Sequence, residues 1–197
     1  MLPDIFIKLS AIGLIPVIKI ENPEHAIPLG KALVAGGLPV AEVTFRTAAA
    51  EEVIRRLSNE VPELLVGAGT VINATLAQKA FSAGAKFIVS PGFNPETVDW
   101  CMEQNIPIIP GANTPSLLEA GLSKGLEVFK FFPAENSGGA SMIQALSAPF
   151  GNVRFVPTGG IDAKNIGDYA RLDSVLAIGG SWMVKPDLIQ NEQWSEI

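Results

Sequence analysis

Leu64-Leu65-Val66-Gly67-Ala68-Gly69-Thr70, followed by the helix-length segment Asn73 to Ala83, writes out one structural unit in full. An apolar run of strand length ends in glycines and leads into a segment opened by asparagine, which reads as a β-strand, a tight turn and a helix. The same unit recurs from one end of the chain to the other. Strand-like runs occur at Leu14 to Ile20, Val40 to Phe45, Leu64 to Ala68, Phe87 to Ser90, Ile106 to Ile109, Val128 to Phe132, Arg154 to Pro157 and Val175 to Ile178. Between them lie helix-length segments such as Pro23 to Ala35, Ala48 to Ser58, Asn94 to Gln104, Thr114 to Ser123 and Ser137 to Leu146. Eight such units predict a parallel sheet closed into a (β/α)8 TIM barrel, an α/β fold carried by one domain over residues 1–197. Pro3 to Ile12 reads as an extra N-terminal helix closing the bottom of the barrel. After the eighth strand only Pro186 to Gln190 and Asn191 to Ile197 remain, so the last helix is expected to be short or truncated.

Small residues collect just after the strands, in Gly67-Ala68-Gly69-Thr70, Ser90-Pro91-Gly92, Pro110-Gly111, Thr158-Gly159-Gly160 and Gly179-Gly180-Ser181. Any one of these glycines is explained by a tight turn. Their recurrence at the same point of the unit marks a face. In a barrel that face is where active sites are built, and the loops after strands seven and eight commonly hold phosphate.

Composition narrows the chemistry. The chain is 48% hydrophobic and 17% charged, enough to bury a sizeable core. No apolar run reaches the roughly 18 residues that span a bilayer, and no secretory leader is visible at the start. A cytoplasmic protein without membrane partners is expected. A net charge of −6 with no basic stripe argues against nucleic-acid binding, so an anionic ligand must be attracted locally. The single cysteine, Cys101, has no basic neighbour and reads as an inert packed thiol, while the single histidine, His25, reads as a solvated surface residue. One histidine and one cysteine supply neither a metal-ligand set nor a histidine-based triad. Catalysis without metal or cofactor therefore falls to lysine, carboxylate, hydroxyl and backbone groups.

Val128-Phe129-Lys130-Phe131-Phe132-Pro133-Ala134-Glu135 supplies the lysine. An ammonium group among phenylalanines is electrostatically costly, burial favours the neutral amine, and a neutral amine attacks carbonyl carbon to form a Schiff base. The alternative is a buried lysine held by a carboxylate for structure alone. On the second strand Glu42, Thr44 and Arg46 are spaced by two and share one face, which must be the lumen because Val43 and Phe45 suit the helix-covered outside. Strand parity likewise puts Val128, Lys130 and Phe132 on one side, so Lys130 can face Glu42 across the lumen. Glu42 is then the proton shuttle and Arg46 a planar fork for a carboxylate. Lys19 is the rival nucleophile, but it lies nearer the rim, where a hydrated ammonium would attract an anionic substrate.

These segments resemble the 2-keto-3-deoxy-6-phosphogluconate (KDPG) aldolase family, which also includes 4-hydroxy-2-oxoglutarate aldolases. The resemblance is carried by Ala41-Glu42-Val43-Thr44-Phe45-Arg46-Thr47, Val66-Gly67-Ala68-Gly69-Thr70-Val71, the Lys130 segment, Pro157-Thr158-Gly159-Gly160-Ile161 and Ile178-Gly179-Gly180-Ser181-Trp182, in order over nearly the whole chain. It implies a metal-free class I aldolase, a homotrimer of barrels, cleaving a phosphorylated keto acid to pyruvate and glyceraldehyde 3-phosphate. It further implies Lys130 as the Schiff-base lysine, Glu42 as general acid and base, and Arg46 and Thr70 on the pyruvate carboxylate. Pro91 and Phe132 would line the pocket, with Thr158, Gly159, Gly160, Gly180 and Ser181 on the phosphate.

Three other readings compete. The same site could take the galactonate epimer or unphosphorylated 4-hydroxy-2-oxoglutarate. A phosphosugar isomerase or epimerase also uses phosphate loops and a glutamate base, yet has no need of an imine-forming lysine. A non-catalytic barrel could bind pyruvate reversibly without turnover.

Overall fold

A computed structural model describes residues 3–197. Its elements run α1 Asp4–Ile12, β1 Leu14–Ile18, a 3-10 turn Pro23–His25 leading into α2 Ala26–Ala35, β2 Val40–Thr44, α3 Ala50–Glu60, β3 Leu65–Gly69, α4 Ala74–Ser82, β4 Phe87–Val89 and α5 Pro95–Glu103. They continue with β5 Ile108–Ile109, α6 Pro115–Leu122, β6 Val128–Phe131, α7 Gly139–Ser147, β7 Arg154–Pro157, α8 Ile166–Ala170, β8 Ile178–Gly180, α9 Pro186–Gln190 and a final 3-10 turn Trp194–Glu196. No helix among the described residues is long and apolar enough to cross a membrane.

The strands curl into a parallel barrel. Six pair in the order β5-β4-β3-β2-β1-β8 and two more as β6-β7. Two seams join the sets. At β5/β6 the Lys130 amide donates to Pro110 O at 2.9 Å and Lys130 O accepts from Ala112 N at 2.9 Å. At β7/β8 the Leu176 amide donates to Phe155 O at 2.8 Å, and Thr158 forms a single bridge with Gly179.

Local sequence explains the units. Asn73 Oδ1 accepts from Leu76 N at 2.9 Å to start α4, and Asn94 Oδ1 accepts from Glu96 N at 3.0 Å to start α5, with Pro95 in the first turn. Gly13, at φ 77°, ends α1 in the left-handed region and returns the chain directly into β1.

Alternation along each strand then sorts side chains into two layers. Ala41 and Val43 of β2 pack outward with Leu29 and Leu33 of α2 and Ile54 and Leu57 of α3, while Phe129 and Phe131 of β6 join Leu118 and Ile143. The inward set, Ile15, Val40, Phe87, Val89, Ile109, Val128 and Val156, fills the lower lumen and is closed from below by Phe6 and Leu9 of α1. Burying each of those two side chains is worth roughly 1.5–3 kcal/mol, so α1 seals the bottom and leaves the opposite mouth as the open end.

Three features differ from the sequence reading. The eighth strand is Ile178–Gly180 rather than Val175 to Ile178; Val175 makes only a single bridge to Phe155. Its glycines hide it from propensity, but the Thr158 side chain and the Trp182 ring occupy the space that side chains at Gly179 and Gly180 would need. The short helix α8 has no counterpart in the sequence reading. His25 is not a solvated residue: its side chain is 15% exposed, lies 3.5 Å from Glu192 Oε1 and meets the Trp194 ring edge-on, packing the C-terminal turn against the start of α2. The last helix is short, and Ile189 anchors it in the outer core. Cys101 is fully buried in α5, where desolvation pushes its thiol up to about 12 and leaves it unreactive.

Candidate active site

At the C-terminal end of the strands the lumen opens into a cavity of about 360 Å³. β2 contributes Glu42 and Thr44 and, just beyond its end, Arg46; β6 contributes Lys130 and Phe132. Thr70 follows β3, Pro91 follows β4, Thr158 to Ile161 follow β7, Gly180 ends β8 and Ser181 follows it. The eleven residues that the resemblance assigned to the site all line this one cavity, together with Thr44. Val17 and Ile161, which no sequence signal marked, complete the wall.

Lys130 Nζ donates to Glu42 Oε1 at 3.2 Å, and the two residues are 5% and 1% exposed. They lie 88 positions apart in the chain and meet only because the barrel closes. The Phe132 ring centroid is 5.3 Å from Nζ and walls the amine off from solvent on that side. Room for Glu42 comes from β3: Thr44 lies opposite Gly69, and a side chain at Gly69 would overlap the Glu42 carboxylate. Lower in the lumen Gly67 opens space for the Phe87 ring, which forms part of the floor. Lysine and glutamate therefore sit at the base of a pocket that is dry below and open above.

Thr44 sets the arginine. Its Oγ1 donates to Ile18 O at 2.7 Å and accepts from Arg46 Nε at 3.0 Å. Among the described residues no carboxylate pairs with Arg46, so its terminal N–H groups are available at the rim for a planar anion. Thr70, at φ 57°, adopts a left-handed backbone uncommon for a β-branched residue, at the point where β3 gives way to the mouth.

The opposite wall has a different character. Gly159 and Gly160 take φ 103° and 78°, conformations that favour glycine, and the Thr158 hydroxyl is buried without a hydrogen-bond partner. A buried orphan hydroxyl beside open backbone is a site waiting for a polar ligand. Behind this wall the Tyr169 hydroxyl donates to Glu135 Oε1. Burial first, and then the Glu135 carboxylate, raise the phenol well above its ordinary range and keep it a donor. Lys19 does not take part: it is 42% exposed, lies outside this cavity and donates to Glu21 Oε1 at 2.8 Å. It sits exposed just beyond the C-terminal end of β1, as its position in the sequence suggested, but its ammonium is paired with Glu21.

Residues 5–197 match the family model for KDPG and KHG aldolases. The chain is 48% identical over 189 residues to a 2-dehydro-3-deoxy-phosphogluconate aldolase of Dickeya dadantii, covering 96% of this chain and 89% of the relative. It is 49% identical over 183 residues to a KHG/KDPG aldolase of Escherichia coli, covering 93% and 86% respectively. Among solved structures it superposes with a TM-score of 0.92 and 43% identity on a KDPG aldolase from Legionella pneumophila holding pyruvate as a covalent carbinolamine, covering 95% of this chain and 93% of that one.

Proposed function

We infer that this chain, which belongs to the KDPG and KHG aldolase family, is a class I aldolase that cleaves 2-keto-3-deoxy-6-phosphogluconate to pyruvate and glyceraldehyde 3-phosphate. The observation that carries the reading is the Lys130–Glu42 contact of 3.2 Å at the base of a cavity whose far wall offers hydroxyl and backbone donors.

Each residue takes a step. Exchange of a proton with Glu42 frees the Lys130 lone pair, which attacks the C2 carbonyl; the carbinolamine loses water, assisted by the same carboxylate, and becomes an iminium. The iminium is the electron sink. Glu42 takes the C4 hydroxyl proton, the C3–C4 electron pair moves toward nitrogen, and glyceraldehyde 3-phosphate leaves. The enamine is protonated at C3 and hydrolysed to pyruvate, restoring the amine. Arg46 and Thr70 hold the carboxylate at one end, and Pro91 and Phe132 give the apolar wall against which the pyruvyl carbons pack. Thr158, Gly159, Gly160, Gly180 and Ser181 take the phosphate. Fixing both anionic ends orients the C4 hydroxyl toward Glu42.

The phosphate assignment has its own test. Ser181→Ala should lower kcat/KM for the phosphorylated substrate roughly tenfold or more, the cost of one hydrogen bond to a charged group, and should affect 4-hydroxy-2-oxoglutarate far less. Equal losses on both substrates would remove Ser181 from the phosphate site.

The assembly we propose is a homotrimer. It is supported by the family resemblance and by Ile72 and Phe81, 56% and 49% exposed, which leave large apolar side chains on the surface of the isolated chain. Light scattering of the purified protein should return three times the chain mass of 20.8 kDa; a monomer would refute it.

A further inference from the structure

The loop from Thr158 to Ile161 is held in an unusual way. A carbonyl turned into an anion site repels its ligand, so a backbone cradle works only if its carbonyls point away and its N–H groups point in. Here all three carbonyls are engaged from behind. Thr158 O accepts from Ala134 N at 2.8 Å, Gly159 O from Glu135 N at 3.1 Å and Gly160 O from Asn165 Nδ2 at 3.0 Å. The N–H groups of Gly160 and Ile161 donate to no acceptor among the described residues, and both residues line the cavity, while Gly159 follows Thr158 at the bridge to Gly179.

Of the three restraints only that from Asn165 is a side chain. Its amide is locked from the other side, because Asn165 Oδ1 accepts from Asp162 N at 2.8 Å. Asn165 itself does not line the cavity. The Gly160 peptide is also braced beneath by Glu135, whose Cβ and Cγ occupy the space a side chain at Gly160 would need and whose carboxylate is bonded by Tyr169. That bond gives the Glu135 carboxylate a donor.

We propose that Asn165 is a positioning residue: by holding the Gly160 carbonyl away from the cavity it keeps the Ile161 N–H, which shares that peptide, and the neighbouring Gly160 N–H aimed at the substrate phosphate. The inference rests on the phosphate reading given above and deepens it. Without the Asn165 amide the Gly159-Gly160 segment, free in φ, can rotate the Gly160 peptide and turn an acceptor toward the anion.

Asn165→Ala removes both of its bonds, whereas Asn165→Asp keeps an acceptor for Asp162 N–H and replaces the donor to Gly160 O by a charged carboxylate oxygen. The measurement is kcat and KM of wild type and both variants on the phosphorylated substrate and on 4-hydroxy-2-oxoglutarate, with inorganic phosphate as a competitive probe. Both variants should lose kcat/KM on the phosphorylated substrate, mainly through KM, by roughly tenfold more than on the unphosphorylated one. The inhibition constant for inorganic phosphate should rise in parallel. Equal losses on the two substrates, or an undiminished phosphate preference in both variants, overturns the role of Asn165 while leaving the cradle in place. A wild-type enzyme with no preference for the phosphorylated substrate and no inhibition by phosphate overturns the cradle, and this inference with it.

Discussion

Lys130→Ala abolishes turnover and, with pyruvate and borohydride, leaves no reduced adduct on the chain, whereas the wild-type protein is labelled at that one side chain. The expected fall in kcat is on the order of 10⁵ or more, the scale seen when a covalent nucleophile is deleted. Nothing else in the cavity replaces the amine. The cavity holds one other nitrogen cation, Arg46, whose guanidinium does not form imines, and Lys19 lies outside it, paired with Glu21. Truncation to alanine also leaves Glu42 buried without its partner, a loss that can reach about 3–5 kcal/mol for a broken buried pair. Lys130→Met leaves Glu42 equally unpaired but fills the volume of the aliphatic stem beside the Phe132 ring, so it restores the packing that alanine loses. A folded Lys130→Met protein, judged by its thermal transition, that still forms a reducible adduct with pyruvate would refute the imine mechanism. Adduct formation is also what separates an aldolase from the isomerase reading, whose glutamate base needs no covalent intermediate.

Glu42→Gln is the second large effect. Glutamine keeps the volume and leaves a carbonyl oxygen able to accept from Nζ at the position of Oε1, so the fold and ligand binding persist. It cannot carry a proton. General acid and base catalysis by a positioned carboxylate is worth about 10²–10⁴ in rate, and kcat should fall by that amount with little change in pyruvate binding. Because Glu42 serves both imine formation and bond cleavage, borohydride trapping in the variant should be slowed as well as turnover. A variant turning over at nearly the wild-type rate would take Glu42 out of the mechanism.

Much of this was legible without coordinates. The spacing of Glu42, Thr44 and Arg46 by two fixed a common face, and the phenylalanine-flanked Lys130 identified a strand on which one polar side chain had to be buried, because pleating alternates side chains regardless of what they pack against. Glycines after successive strands marked the open end. The eighth strand was less visible: Gly179 and Gly180 carry no β propensity, and only the register Ile15 to Gly179 and Pro16 to Gly180 selects them. The fate of Lys19 was also hidden. Its apolar neighbours imitate those of Lys130, but the strand ends at Ile18 and the side chain turns to Glu21. Asn165 gave no signal at all, since an asparagine shortly after a glycine pair reads as ordinary loop chemistry.

Local periodicity, glycine placement and the kinds of ionisable residue present were enough to establish the barrel, its reactive end and the candidate amine, because each depends on interactions between near neighbours in the chain. Barrel closure decided the rest. The 3.2 Å meeting of two groups 88 residues apart, the room Gly69 leaves for a carboxylate, and the two donors behind the Thr158 and Gly159 carbonyls are contacts between different β-α units. Their distances are set by strand register and shear, which no single stretch of sequence encodes.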